Sequence, residues 1–192
     1  GAFLLPGVRK GLRVGHAAVT DLTLGILTDP FGSGHMGITA ENIAAKYQFT
    51  RQQLDAFALV SQQRAARAQQ AGYFAGQIMP VEISGKTTLQ VDQDEHLRPN
   101  TTQENLSQLK PAFQPNGMVT AGNASGLNDG AAALLLATTE FAKGHGLKPK
   151  ARLLACSMAG VEPCFMGLGP IPAVQQLLAQ TGFALSNIDV IE

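Results

Sequence analysis

The sequence contains no tryptophan and only two cysteines, Cys156 and Cys164. Two cysteines cannot form the dense disulfide framework of a small secreted domain, and neither stands at metal-ligand spacing from a histidine. Reduced thiols in a cytoplasmic protein are expected, with Cys156 a buried, inert thiol inside an apolar strand pattern. Charge is also scarce: Asp, Glu, Lys and Arg make up 15% of the residues, with 14 of each sign and a formal net charge of zero. That balance favours neither nucleic acid nor an anionic membrane surface as partner. No apolar run approaches the roughly 18 residues of a membrane span. The apolar start Gly1-Ala-Phe-Leu-Leu-Pro6 has no basic region before it, so a signal peptide is not expected.

What is present is a 45% hydrophobic chain of 192 residues with 21 glycines. A chain of this size buries roughly 70% of its unfolded surface, enough for one large or two small domains. The glycine count predicts an α/β protein with many tight turns. Between residues 6 and 20, Arg9, Lys10 and Arg13 stand among glycines, and alternation around Leu12 and Val14 predicts an exposed hairpin. A short helix is expected from Thr39 to about Tyr47. Thr50-Arg-Gln-Gln53 has the form of a capping box and opens a helix that Gly72 stops. Its apolar face should carry Leu54, Phe57, Ala58, Ala65 and Ala68, opposite Gln52, Gln63, Arg67 and Gln70. Strands are predicted over residues 78–83, 87–91, 152–158 and 187–191. Helices are predicted within residues 101–115, over 138–146, and over 172–180 with Gly182 as cap.

The most informative segment is Thr120-Ala-Gly-Asn-Ala-Ser-Gly-Leu-Asn-Asp-Gly-Ala-Ala-Ala-Leu-Leu-Leu136. Its glycines permit close backbone approach and positive φ, and Asn123, Ser125 and Asn128 can bond local backbone or a ligand. The run over residues 131–136 then reads as a strand buried on both faces. Physical chemistry alone leaves two readings open: a tight loop entering a core strand, or a turn shaped around a ligand.

The same segment resembles the corresponding motif of thiolases, in particular the acetyl-CoA C-acetyltransferase branch. Gly34-His-Met-Gly-Ile-Thr-Ala-Glu-Asn42, Asp55-Ala-Phe-Ala58 followed by Ser61-Gln62, Leu109-Lys-Pro-Ala-Phe113 and Met166-Gly-Leu-Gly-Pro-Ile-Pro172 resemble thiolase segments in the same order. The resemblance covers essentially the whole chain and implies part of a layered αβαβα thiolase fold. Residues 1–127 would be a loop domain with a tetramerisation loop near 6–20. Residues 128–148 would close the first core half, and 149–192 would open the second.

The resemblance also implies acyl transfer between CoA thioesters, with acetyl-CoA and acetoacetyl-CoA as partners in a homotetramer built as a dimer of dimers. The thioester is substrate, and no metal or redox cofactor is implied. The family's nucleophilic cysteine, its histidine and its second cysteine fall outside the matched segments, so no catalytic residue is assigned here and the chain alone is expected to be inactive. Neither Cys156 nor Cys164 matches a family role. The CoA side is represented. Ala124 and Ser125 match the contact to the pantetheine amide, and Leu27, His35, Met36 and Phe113 match the pantetheine wall. Met166 matches the residue lining a short acyl pocket, and Arg98 a cation near the nucleotide end. A broad-range 3-ketoacyl-CoA thiolase of fatty-acid breakdown and a non-catalytic thiolase-like binding or assembly piece are the other expectations.

Overall fold

Strand β1 (Phe3–Leu4) pairs antiparallel with β2 (Thr20–Asp21), and together they close a long exposed loop over residues 5–19. The hairpin predicted around Leu12 and Val14 does not form. Gly7 and Gly11 take φ of +86° and +80°, and the chain between them winds through a 3-10 turn, Val8–Lys10, that breaks strand pairing. The coordinates are a computed structural model describing residues 2–192. They divide into two compact units, one ending at Gly126 and the other Leu127–Glu192.

In the first unit, helix α1 (Leu22–Ile26) leads to a ribbon of β3 (Thr28–Asp29) and β4 (Gly34–His35). Helix α2 (Met36–Lys46) follows directly and starts three residues earlier than predicted, because the His35 ring supplies its N-cap. Helix α3 (Arg51–Gln70) has the predicted capping box. Thr50 Oγ1 accepts from the Gln53 N–H at 3.2 Å, and Gln53 Oε1 accepts from the Thr50 N–H at 2.8 Å. It ends in a Schellman motif at Gly72, whose φ of +73° lets the Tyr73 N–H reach the Ala68 carbonyl at 3.1 Å. Strands β5 (Val81–Ile83) and β6 (Leu89–Val91) form a hairpin, and α4 (Gln103–Ser107) is the short helix of the polar connector.

The inward stripe of α3 differs from the prediction. Leu54, Ala58, Ala65 and Ala68 are half-buried as expected, but Phe57 is 80% exposed and Asp55 is 1% exposed. An ion pair from the Asp55 carboxylate to Arg51 at 2.7 Å and a bond from Asn123 make this burial tolerable. Ala44, Ala66, Leu106 and Val119 complete the apolar centre of this unit.

The second unit contains α5 (Thr139–Gly144), a 3-10 turn at Pro163–Leu168, α6 (Pro170–Thr181) and a 3-10 turn at Leu185–Asn187. Both α-helices match the prediction, and α6 ends at Gly182 with φ of +71°. The strands predicted over 131–136, 152–158 and 187–191 are absent. These residues are largely irregular and mostly exposed, Leu134 by 89%. A strand exists only through a partner ladder, and no strand is found among the described residues of this unit. Cys156 lies on one of these segments and is exposed, which corrects its expected burial.

Candidate functional site

The residues matched to the pantetheine wall meet at the start of α2. The His35 ring stacks on Phe113 with centroids 4.8 Å apart and planes 24° from parallel. Its Nδ1 accepts from the Gly37 N–H at 3.0 Å, which leaves Nε2 to carry the proton of a neutral ring. Gly37 is buried against the face of Phe113, and a side chain at this position would run into that ring. The Met36 N–H donates to the Leu27 carbonyl at 2.8 Å, joining the other two residues of the wall. Leu27, His35, Met36 and Phe113 are therefore held around one helix terminus, with Met36 at the surface.

Phe113 rides on a short antiparallel turn. Pro111 bridges Thr120, the Ala112 N–H donates to the Val119 carbonyl at 2.9 Å, and Asn116 turns the chain with φ of +58°. Asn tolerates this left-handed conformation better than most residues. An open depression of about 440 Å³ lies along residues 110–116 of this turn.

Two buried carboxylates hold the returning strand of the turn and the glycine-rich loop after it. Glu41, 3% exposed on α2, accepts from the Met118 N–H with both oxygens at 2.9 Å and from the Val119 N–H at 2.8 Å. Asp55 accepts from the Asn123 amide at 2.9 Å. Arg51, which pairs with Asp55, also donates to the Leu106 carbonyl. The second Asn123 amide hydrogen goes to the Met118 carbonyl at 2.9 Å, and Asn123 Oδ1 accepts from the Thr120 N–H at 2.8 Å. Both amide hydrogens of Asn123 are thus committed within the protein, so it braces the loop and has no N–H left to donate to a ligand.

Gly117, Gly122 and Gly126 work by close approach, whereas Gly130 has open space around it. None of Gly117, Gly122, Gly126 or Gly130 has positive φ. A side chain at Gly117 would strike the Glu41 carboxylate, at Gly122 the Leu106 and Leu109 side chains, and at Gly126 the His96 ring. Ala124 and Ser125 form the exposed segment between the Asn123 brace and the Gly126–His96 contact.

Arg98 is exposed, in a turn whose N–H donates to Gln62 Oε1 on α3 at 2.9 Å. Its neighbours Leu97 and Pro99 line a depression of about 410 Å³ that also carries Asp92, Asp94 and Glu95, so a phosphate there would meet opposing negative charge. Met166 lies in the second unit, exposed within the turn Pro163–Leu168, and its carbonyl accepts from the Gly169 N–H at 3.0 Å. Among the described residues, no group of three or more His, Cys, Asp and Glu side chains could hold a metal ion, and no helix is long and apolar enough to cross a membrane.

Sequence reasoning included Glu41 and Asp55 in motif segments and Arg51 in the capping box, but gave none of the three a role in the site. The available signal was an acid at core-facing helical spacing: Asp55 lies between Leu54 and Ala58 on the inward stripe of α3.

Residues 4–140 match the family model described as thiolase, N-terminal domain, and residues 147–192 match thiolase, C-terminal domain. The chain belongs to the thiolase family. It is 48% identical to the beta-ketothiolase BktB of Cupriavidus necator, over 99% of this chain and 49% of that protein. It is 50% identical to the acetyl-CoA acetyltransferase of Thiocystis violacea, over 100% of this chain and 49% of that protein. The crystal structure of the Bacillus anthracis acetyl-CoA acetyltransferase superposes with a TM-score of 0.86 at 43% identity, covering 98% of this chain and 48% of the other. Human mitochondrial 3-ketoacyl-CoA thiolase in complex with CoA superposes with a TM-score of 0.82 at 40% identity, covering 98% of this chain and 47% of that one. The fold is that of thiolases, and the chain spans about half the length of the relatives it matches.

Proposed function

We propose that this chain is the CoA-binding part of an acetyl-CoA C-acetyltransferase, which condenses two acetyl-CoA to acetoacetyl-CoA and CoA or runs the reverse thiolysis. The observation that carries the reading is the meeting of His35, Phe113, Met36 and Leu27 at one helix terminus, tied through Glu41 to the loop that presents Ser125. In this reading the aromatic and aliphatic groups flank the pantetheine arm, and Ala124 and Ser125 take its amide. Arg98 stands at the nucleotide end, and Met166 limits the acyl chain. No metal or redox cofactor enters, because the thioester itself supplies the activated carbonyl. The acyl-accepting cysteine, its histidine and the proton-carrying cysteine belong to other parts of the complete enzyme. The assembly we propose is a cytoplasmic homotetramer, a dimer of dimers, with loop 5–19 as its contact.

A second reading is a broad-range 3-ketoacyl-CoA thiolase of fatty-acid breakdown, favoured by the likeness to the human 3-ketoacyl-CoA enzyme. Thiolysis rates of the complete polypeptide on acetoacetyl-CoA and on long-chain 3-ketoacyl-CoA separate the two. A strong preference for acetoacetyl-CoA is expected, and equal kcat/KM values would overturn the short-chain assignment. Assay of the 192-residue chain by itself should give no turnover; activity there would show that the catalytic groups lie within it after all.

A further inference from the structure

We infer that Glu41 is a positioning residue for the acyl-CoA site, setting the distance between its two walls. The inference rests on the reading of this site as the pantetheine site. Helix α2 carries His35 and Gly37 against Phe113 at its first turn, and Glu41 about 7.5 Å further along its axis. There Glu41 takes the N–H groups of Met118 and Val119. Those residues return from the turn that bears Phe113 and lead into the loop that bears Ala124 and Ser125. One side chain therefore couples the His35–Phe113 wall to the Ser125 wall through a rigid helix.

The geometry is built for this task. Charge-assisted bonds to backbone N–H groups are among the stronger hydrogen bonds, and burial keeps water from replacing them. Gly117 lies so close to the Glu41 carboxylate that even a methyl group there would displace it. Asp55 fixes the same loop further on by holding Asn123, so a fault at Glu41 shifts the segment between Phe113 and the Asn123 brace without releasing the whole loop.

The test uses the complete thiolase polypeptide. Glu41→Ala should raise the KM for acetoacetyl-CoA on the order of tenfold, as loss of a buried, charge-assisted bond predicts, with kcat changed far less. Glu41→Gln keeps one carbonyl oxygen able to accept both N–H groups and should restore KM to within about threefold of the unmodified protein. Gly117→Ala, which presses on the carboxylate from the other side, should raise KM in the same direction. Unchanged KM in Glu41→Ala, or equal losses in Glu41→Ala and Glu41→Gln, overturns the inference. For variants that do not fold, hydrogen exchange in the unmodified protein decides. The Met118 and Val119 amides should be protected, and exchange at free-loop rates overturns the inference. An unmodified protein that thiolyses no 3-ketoacyl-CoA refutes the functional reading instead.

Discussion

At Gly37 the missing side chain is what admits Phe113. The two are pressed together where His35 stacks on the same Phe113 ring, so the position tests the packing of the candidate site directly. Gly37→Ala should force the Phe113 ring or the start of α2 to move. Overpacking of this kind costs about 1–3 kcal/mol, and alanine's better helix propensity offsets up to about 1 kcal/mol of it. Thermal unfolding should show the net loss, and the KM for acyl-CoA should rise with it. A variant as stable as the unmodified protein, with unchanged KM, would mean that Phe113 has room to swing away. At the same scale, Glu104 at the start of α4 is held below the usual carboxylate range, first by its own backbone N–H and then by the Thr102 hydroxyl. Such a group stabilises the fold above its unfolded pKa, and the benefit is lost as pH falls through its folded pKa. Its full exposure keeps that contribution small.

Among the elements, α3 shows what local chemistry can specify. Its capping box and its Schellman stop at Gly72 are short-range features, readable from Thr50, Gln53 and Gly72 alone. Thr50→Ala removes the hydroxyl that accepts the Gln53 N–H and should lower stability by about 1 kcal/mol, measurable by denaturant or thermal unfolding. If the loss is undetectable, the packing of Arg51 and Asp55 dominates the helix start. That second contribution was not legible, because the burial of Asp55 depends on Asn123, 68 positions away in sequence. The same limit applies across the candidate site. His35, Met36 and Phe113 were legible as motif residues. The clamp by Glu41 was not, since an acid in a helical pattern gives no sign of which backbone amides it will meet. In the second unit, α5 and α6 follow from caps and periodicity, whereas residues 131–136 and 152–158 have the apolar composition of strands without a strand to pair with. Apolar patterning reports a tendency to be covered, and the covering surface is not encoded in the segment itself.

At the scale of the whole molecule, loop 5–19 joins exposed apolar residues to exposed positive charge. Leu5, Val8, Leu12 and Val14 are exposed alongside Arg9, Lys10 and Arg13, and the ribbon of β1 and β2 presents the loop as a unit. Exposed aliphatic side chains gain roughly 25 cal/mol for each Å² that another surface covers. Contact between copies would bury them while the guanidinium and ammonium groups stay at a wet rim, where like charges repel least. In the proposed dimer of dimers, replacing Leu12 and Val14 together by aspartate should therefore separate the complete protein into dimers. Light scattering should give half the molar mass of the unmodified assembly. Acetoacetyl-CoA thiolysis should persist, because the loop contributes none of the residues placed around the pantetheine arm. Raising the salt concentration should strengthen the unmodified assembly by screening the basic side chains of facing copies. An unchanged mass for the double variant would place the assembly contact on another surface and leave loop 5–19 to solvent.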